Sequence, residues 1–142
     1  MFREICTLIS TLTGFGIGTK LQVGHLLQNA PDRYVLVQES GGATTFGHPD
    51  MIDFTVQVLC HAGTYMQARE DAYAVFDAIH STSGWNLPRQ DGASGEDYLA
   101  ATVEALYAPQ YLGEDSNKKH LFSTNYIFRM QLGSCEPVSG SI

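Results

Sequence analysis

A strand that runs directly into a long helix, between Met51 and Ser81, constrains the fold of this chain most strongly. Every second residue from Ile52 to Cys60 is apolar and the residues between are mostly polar. That period of two indicates a strand with one buried face. Two small residues later the apolar positions recur every three or four residues as far as Ile79, which predicts an amphipathic helix with Thr64 at its N-cap. One strand and one helix make an α/β layer pair onto which the remaining segments must pack.

The other segments fall into helix, strand and loop by their patterns. The spacing predicts a short helix over Phe2–Leu12, while Leu21–Ala30 fits either a short strand running into a turn or a broken helix. Strands are predicted for Tyr34–Gln38, Tyr98–Tyr107 and Leu121–Leu132, the last two as an antiparallel pair. Loops are predicted for Glu39–Asp50 and Ser83–Asp97, and a polar hairpin tip for Tyr111–Lys119.

These segments predict an α+β domain. Its sheet is roughly four-stranded and mainly antiparallel, with the long helix packed on one face and a short N-terminal helix beside it. The 142 residues suit one domain, which we place at 1–132, with residues 133–142 as a flexible C-terminal tail.

Composition limits the partners. The formal net charge is −7 and no basic cluster is present, which argues against nucleic-acid binding through phosphate contacts. No apolar run approaches the ~18 residues of a membrane span, so we expect no membrane partner. The three cysteines are far apart without metal-ligand spacing, and Cys60 fits a small apolar core residue. No cofactor or metal is therefore predicted.

No catalytic pattern emerges. The glycines at 14, 16 and 18 do not fit a phosphate-binding motif and are better explained as a joint after the first helix. The histidines fit ordinary surface or rim positions, with His61 expected at the sheet edge and facing away from Cys60. The helix carboxylates Glu70, Asp71 and Asp77 are expected mostly on the solvent side. The pattern therefore predicts a protein without enzymatic activity.

Four stretches, in this order, resemble the small minor-capsid and tail-terminator proteins of long-tailed phages. They are Pro31–Gly42, a strand that ends in an acidic residue and a glycine pair; Asp53–Val58 with the following helix start; Pro109–Asp115, a Leu-Gly-acidic turn; and Phe122–Tyr126, a closing strand with a central Asn. The similarity spans residues 1–132. His61 departs from the family, which tends to have Arg there, and Ser83–Asp97 is longer than expected.

The resemblance implies a structural virion protein that caps the head-proximal end of a tail tube as a hexameric ring. Such a protein ends tube polymerisation and joins the tail tube protein to a head-tail connector protein. Six copies at −7 each carry about −42, so an acidic lumen would let DNA pass without binding it. A head-completion or stopper protein is the alternative from the same class. A small-molecule-binding domain or an enzyme with a non-local site is the alternative from another class.

The subunit or tube interface is expected on the two predicted loops. Trp85 stands out because a large aromatic in a Gly/Pro-rich loop either joins an interface or folds back over the core. The candidate interface residues are Phe46, His48, Trp85, Leu87 and Arg89.

Overall fold

The computed structural model describes residues 2–25, 31–45, 48–87, 98–116 and 118–131, and gives the backbone only for residues 41–45, 48–51 and 98. Two helices and seven strands follow one another along these residues. In chain order they are α1 (Phe2–Thr13), β1 (Leu21–Val23), β2 (Tyr34–Thr45), β3 (His48–Ala62), α2 (Tyr65–Ile79), β4 (Thr82–Leu87), β5 (Tyr98–Ala105), β6 (Gln110–Glu114) and β7 (His120–Gln131).

All seven strands belong to one sheet built around the long antiparallel pair β3 and β7. These two strands are in register from Met51 opposite Gln131 to Ala62 opposite His120. The strand order is β1-β2-β3-β7-β5-β4, in which β1 runs parallel to β2 and the other pairs are antiparallel. On the outer side of β7, β5 pairs with its second half and β6 with its first half.

Both helices cover the same face of the sheet. The alternation predicted for β3 is observed, since Val56, Val58 and Cys60 are buried while Thr55 and Gln57 face the other way. The α2 stripe that ends at Ile79 packs on β3 and β7, and α1 packs against α2. The fully buried aromatics Tyr126 and Phe128 of β7 complete this core.

Several predictions are confirmed. The first helix, the antiparallel pair of β5 with β7 and the helices on one face are all observed. Thr64 caps α2, because its side-chain oxygen accepts a hydrogen bond from the Gln67 N–H at 3.2 Å. The ambiguous segment from Leu21 begins as a short strand, and residues 26–30 lie outside the described residues.

The prediction of four strands is wrong. The stretch predicted as the loop Glu39–Asp50 continues β2 and β3 as a hairpin, with an irregular register between Glu39 and Gly42. A strand was not predicted for this stretch because its glycines and threonines give no alternation of apolar and polar residues. The predicted loop Ser83–Asp97 begins as β4, and the predicted tip Tyr111–Lys119 begins as β6. Short edge strands of this kind are half polar and so resemble loops in sequence.

The glycine segment after α1 is a tight turn, in agreement with the predicted joint. Gly14 and Gly18 have φ values of 80° and 87°, where a side chain is strained. At Gly16 an added Cβ would lie 2.7 Å from Thr19 Oγ1. The turn brings the chain back to start β1 at Leu21.

Candidate functional site

The short strand β6 carries an unusual concentration of exposed apolar side chains. Leu112 is 52% exposed, and Met66, at the neighbouring start of α2, is 58% exposed. The residues joining β5 to β6 add two more large side chains along the same edge of β7. We call this group the edge surface; its members are Tyr65, Met66, Leu106, Tyr107, Tyr111 and Leu112.

An aromatic cluster supports the edge surface from below. The Tyr65 ring meets the Tyr111 ring at 4.9 Å in a T-shaped arrangement, and both rings contact the buried Phe122 ring at 5.2 and 5.3 Å. The Tyr111 hydroxyl lies 2.8 Å from His120 Nδ1, at hydrogen-bonding distance. Because these rings tie α2, β6 and β7 together, the exposed groups sit on a fixed platform.

The outer strand edges of β1 and β6 differ. The outer edge of β1 is closed by the preceding turn, since Leu21 N–H donates to Gly16 O at 2.9 Å and Gly18 N–H donates to Leu21 O at 2.8 Å. Within the described residues, β6 pairs only with β7, and four of its five residues are exposed. An open strand edge beside exposed apolar side chains is typical of a surface that receives another polypeptide.

A second cluster lies on the sheet face opposite the helices. The His61 ring stacks on the Tyr34 ring at a centroid distance of 4.5 Å, and His61 Nε2 lies 3.8 Å from Asp115 Oδ2. Lys119 Nζ reaches over the Tyr34 ring at 5.1 Å and lies 3.6 Å from Asp32 Oδ1. Burial lowers the pKa of His61; Asp115 raises it in part and Lys119 lowers it.

His61 was expected at the sheet edge, and that expectation is wrong. β3 is an inner strand between β2 and β7, and His61 is only 8% exposed. The expectation that it faces away from Cys60 is confirmed, since Cys60 belongs to the core under the helices. Asp115, in the turn after β6, approaches the His61 side chain, which a local strand pattern could not indicate.

Asp71 corrects a second expectation. The carboxylate was placed mostly on the solvent side of α2, yet its side chain is 3% exposed. Arg33 donates to it through Nε at 3.0 Å and Nη2 at 2.9 Å, and Lys20 Nζ lies 3.0 Å from Oδ1. This bidentate ion pair ties α2 to the start of β2 and to the residue before β1.

The predicted interface residues are only partly described. Phe46 and Arg89 lie outside the described residues, and the side chain of His48 is not described. Leu87 is 3% exposed in the core. Trp85 packs partly against the core and donates through Nε1 to Thr82 Oγ1 at 2.7 Å, so its indole has a contact within the chain.

The described part of the chain gives little support for a metal site, a reactive thiol or a membrane-spanning helix. No three His, Cys, Asp or Glu side chains there converge where they could hold a metal ion. Burial raises the pKa of the Cys6 thiol to about 12 and raises that of Cys60 as well, which leaves both thiols protonated. Neither described helix combines the length and hydropathy that a bilayer-spanning helix requires.

The edge surface was missed at the sequence level. Leu106, Tyr107, Tyr111 and Leu112 fall in a segment punctuated by Pro109 and glycine, which suits a turn. A usable signal was present, because two tyrosines and two leucines fall within seven residues at the junction of the predicted strand and the predicted hairpin tip. Their exposure depends on how β5 and β6 share the edge of β7, which is a long-range feature.

The fold is shared with a protein of a phage-like particle. A chain of the solved structure described as "Virion of native gene transfer agent (GTA) particle" superposes with a TM-score of 0.53 at 16% sequence identity. The alignment covers 87% of this chain and 84% of that chain. No protein-family model and no curated protein matches the sequence.

Proposed function

We propose that this chain is a structural protein of a tailed-phage-like virion. The observation that carries the proposal is the fold likeness to a gene transfer agent virion chain, which extends over 87% of the present chain. The phage resemblance of four sequence stretches, noted above, points in the same direction. The described residues offer an open strand edge with apolar groups and no converging metal ligands, which suits assembly better than catalysis.

More specifically, we propose a tail terminator at the head-proximal end of the tail. Copies of the chain would close into a hexameric ring, with the tail tube protein on one side and the connector on the other. The edge surface would supply the contact between neighbouring copies, because it combines a free strand edge with large apolar side chains. The acidic chain, at −7, would repel DNA phosphates in the lumen. The interface candidates expected from the sequence, including Trp85 of β4 and His48 of β3, stay proposals for contacts with the tube.

Leu112→Asp tests this proposal directly. Leu112 is 52% exposed, so the substitution adds a charge without opening the protomer core. The matched control is Ile17→Asp, since Ile17 is 48% exposed in the turn between α1 and β1, across the sheet from β6. Light scattering over a wide concentration range and negative-stain images of wild type and both variants are the measurements.

The expected result is a wild-type ring, seen free at high concentration or at the ends of tail tubes, which Leu112→Asp disrupts and Ile17→Asp preserves. Burying an unpaired carboxylate in an apolar contact costs several kcal/mol, enough to abolish a weak subunit interface. A wild-type protein that stays monomeric under all these conditions and takes up a small molecule would refute the assembly proposal. Rings found on the connector and never on tube ends would favour the stopper role.

A further inference from the structure

The His61 ring is only 8% exposed, and this burial favours its neutral form. It stacks on Tyr34 of β2, lies in register with Leu121 of β7 and is covered by the turn that begins at Asp115. Nε2 faces the Asp115 carboxylate at 3.8 Å, whereas Nδ1 is buried without a hydrogen-bond partner among the described residues. A neutral ring leaves only a lone pair unsatisfied there, but a protonated ring would bury an N–H donor without an acceptor.

One oxygen of the Asp115 carboxylate is held by its own turn. Its Oδ1 accepts the Lys119 N–H at 3.0 Å, while the Asp115 N–H donates to the Lys119 carbonyl at 2.9 Å. Bringing Oδ2 from 3.8 Å to hydrogen-bonding distance of His61 Nε2 would therefore strain the Oδ1 hydrogen bond within the turn. The negative charge of Asp115, 3.8 Å away, only weakly stabilises a buried, protonated His61 ring.

The charged groups around the stacked His61 and Tyr34 rings include both carboxylates and an ammonium group. From the β2 side come the Tyr34 hydroxyl-bearing ring and Asp32, and from the turn come Asp115 and Lys119. Lys119 is a cation beside the stack, with its Nζ 5.1 Å from the Tyr34 ring centroid. A proton on His61 would place a second positive charge under the same turn.

We propose that His61 is a proton-sensitive latch, such that protonation of its ring separates the Asp115–Lys119 turn from β2 and β3. The turn continues directly from β6, so its release loosens the strand that ends at Glu114. The closed state prefers neutral His61, while an open turn gives the ring access to water. The latch therefore holds at neutral pH and opens as the pH falls below about 6.5, the ordinary pKa of histidine.

Amide hydrogen exchange of the full chain between pH 7.5 and 5.5 tests the latch. The reporter is the Lys119 amide, which donates within the turn. In the wild type its protection, corrected for intrinsic exchange, is expected to fall by up to about tenfold per pH unit below 6.5. His61→Gln cannot take up a proton and is expected to show no such fall. His120→Gln, which removes the neighbouring imidazole, is expected to keep it.

Two results would overturn the latch. One is the same pH-dependent loss of Lys119 protection in His61→Gln as in the wild type. The other is a wild-type His61 ring that titrates by NMR at or above the ordinary histidine pKa while the turn amides stay protected. The NMR measurement needs no variant, so it decides the question even if His61→Gln does not fold. Neither readout depends on ring assembly, so this proposal and the proposed function can fail separately.

Discussion

Replacing Asp71 by Asn removes the charge that joins α2 to the first strands while keeping the size of the side chain. This 3%-exposed carboxylate accepts two hydrogen bonds from Arg33, at 3.0 and 2.9 Å, and forms an ion pair with Lys20 at 3.0 Å. Breaking a buried ion pair costs about 3–5 kcal/mol. The Arg33 and Lys20 side chains are partly exposed and can regain water, so we expect a loss of about 2–3 kcal/mol.

Urea denaturation of wild type, Asp71→Asn and Asp77→Asn measures this loss. Asp77 is an exposed carboxylate on the same helix, so its substitution is expected to change stability by no more than about 0.5 kcal/mol. For a chain of 142 residues, 1 kcal/mol corresponds to about 3 °C in Tm, so Asp71→Asn should melt about 6–9 °C lower. If Asp71→Asn and Asp77→Asn were equally stable, the carboxylate would not hold α2 to the sheet.

Three further predictions follow from local geometry. Gly113→Ala should destabilise by about 1 kcal/mol or more in urea titration, because Gly113 has φ of 101°, while Gly63→Ala, with free space around its Cβ, should have little effect. Thr64→Ala should cost about 1 kcal/mol in the same assay by removing the α2 N-cap, whereas equal stability would argue that the cap is replaced by water. Cys6 and Cys60 should stay unlabelled by iodoacetamide in the native protein and react after unfolding, as read by mass spectrometry; rapid native labelling would contradict their burial.

The strand and helix between Met51 and Ser81 could be predicted because their periodicity is local. β3 buries every second side chain and α2 every third or fourth, so the spacing of apolar residues in each segment matches its secondary structure. The edge strands were harder to predict from the sequence. β4 and β6 are stabilised by pairing with β5 and β7, and their own residues carry little apolar alternation.

The site depends still more on tertiary structure. His61 lies at the end of a well-predicted strand, but its burial comes from a turn more than fifty residues later in the chain. Asp71 occupies a helix position that is polar in sequence, and only the approach of Arg33 and Lys20 explains why a carboxylate is buried there. Charged side chains are read from sequence as solvent-facing because burial without a partner is costly, and their partners here are distant in sequence.

The sequence by itself determined the α+β class, the helix cap at Thr64 and the core stripe of β3, because each follows from the propensity and periodicity of neighbouring residues. It also carried a resemblance to phage assembly proteins, in four stretches. Only the tertiary structure decided that seven strands of the described residues share one sheet, that β6 pairs only with β7 among them and bears the exposed Leu112, and that Asp115 approaches His61. Those features depend on which distant strands meet, and strand pairing is a long-range choice that no local pattern encodes.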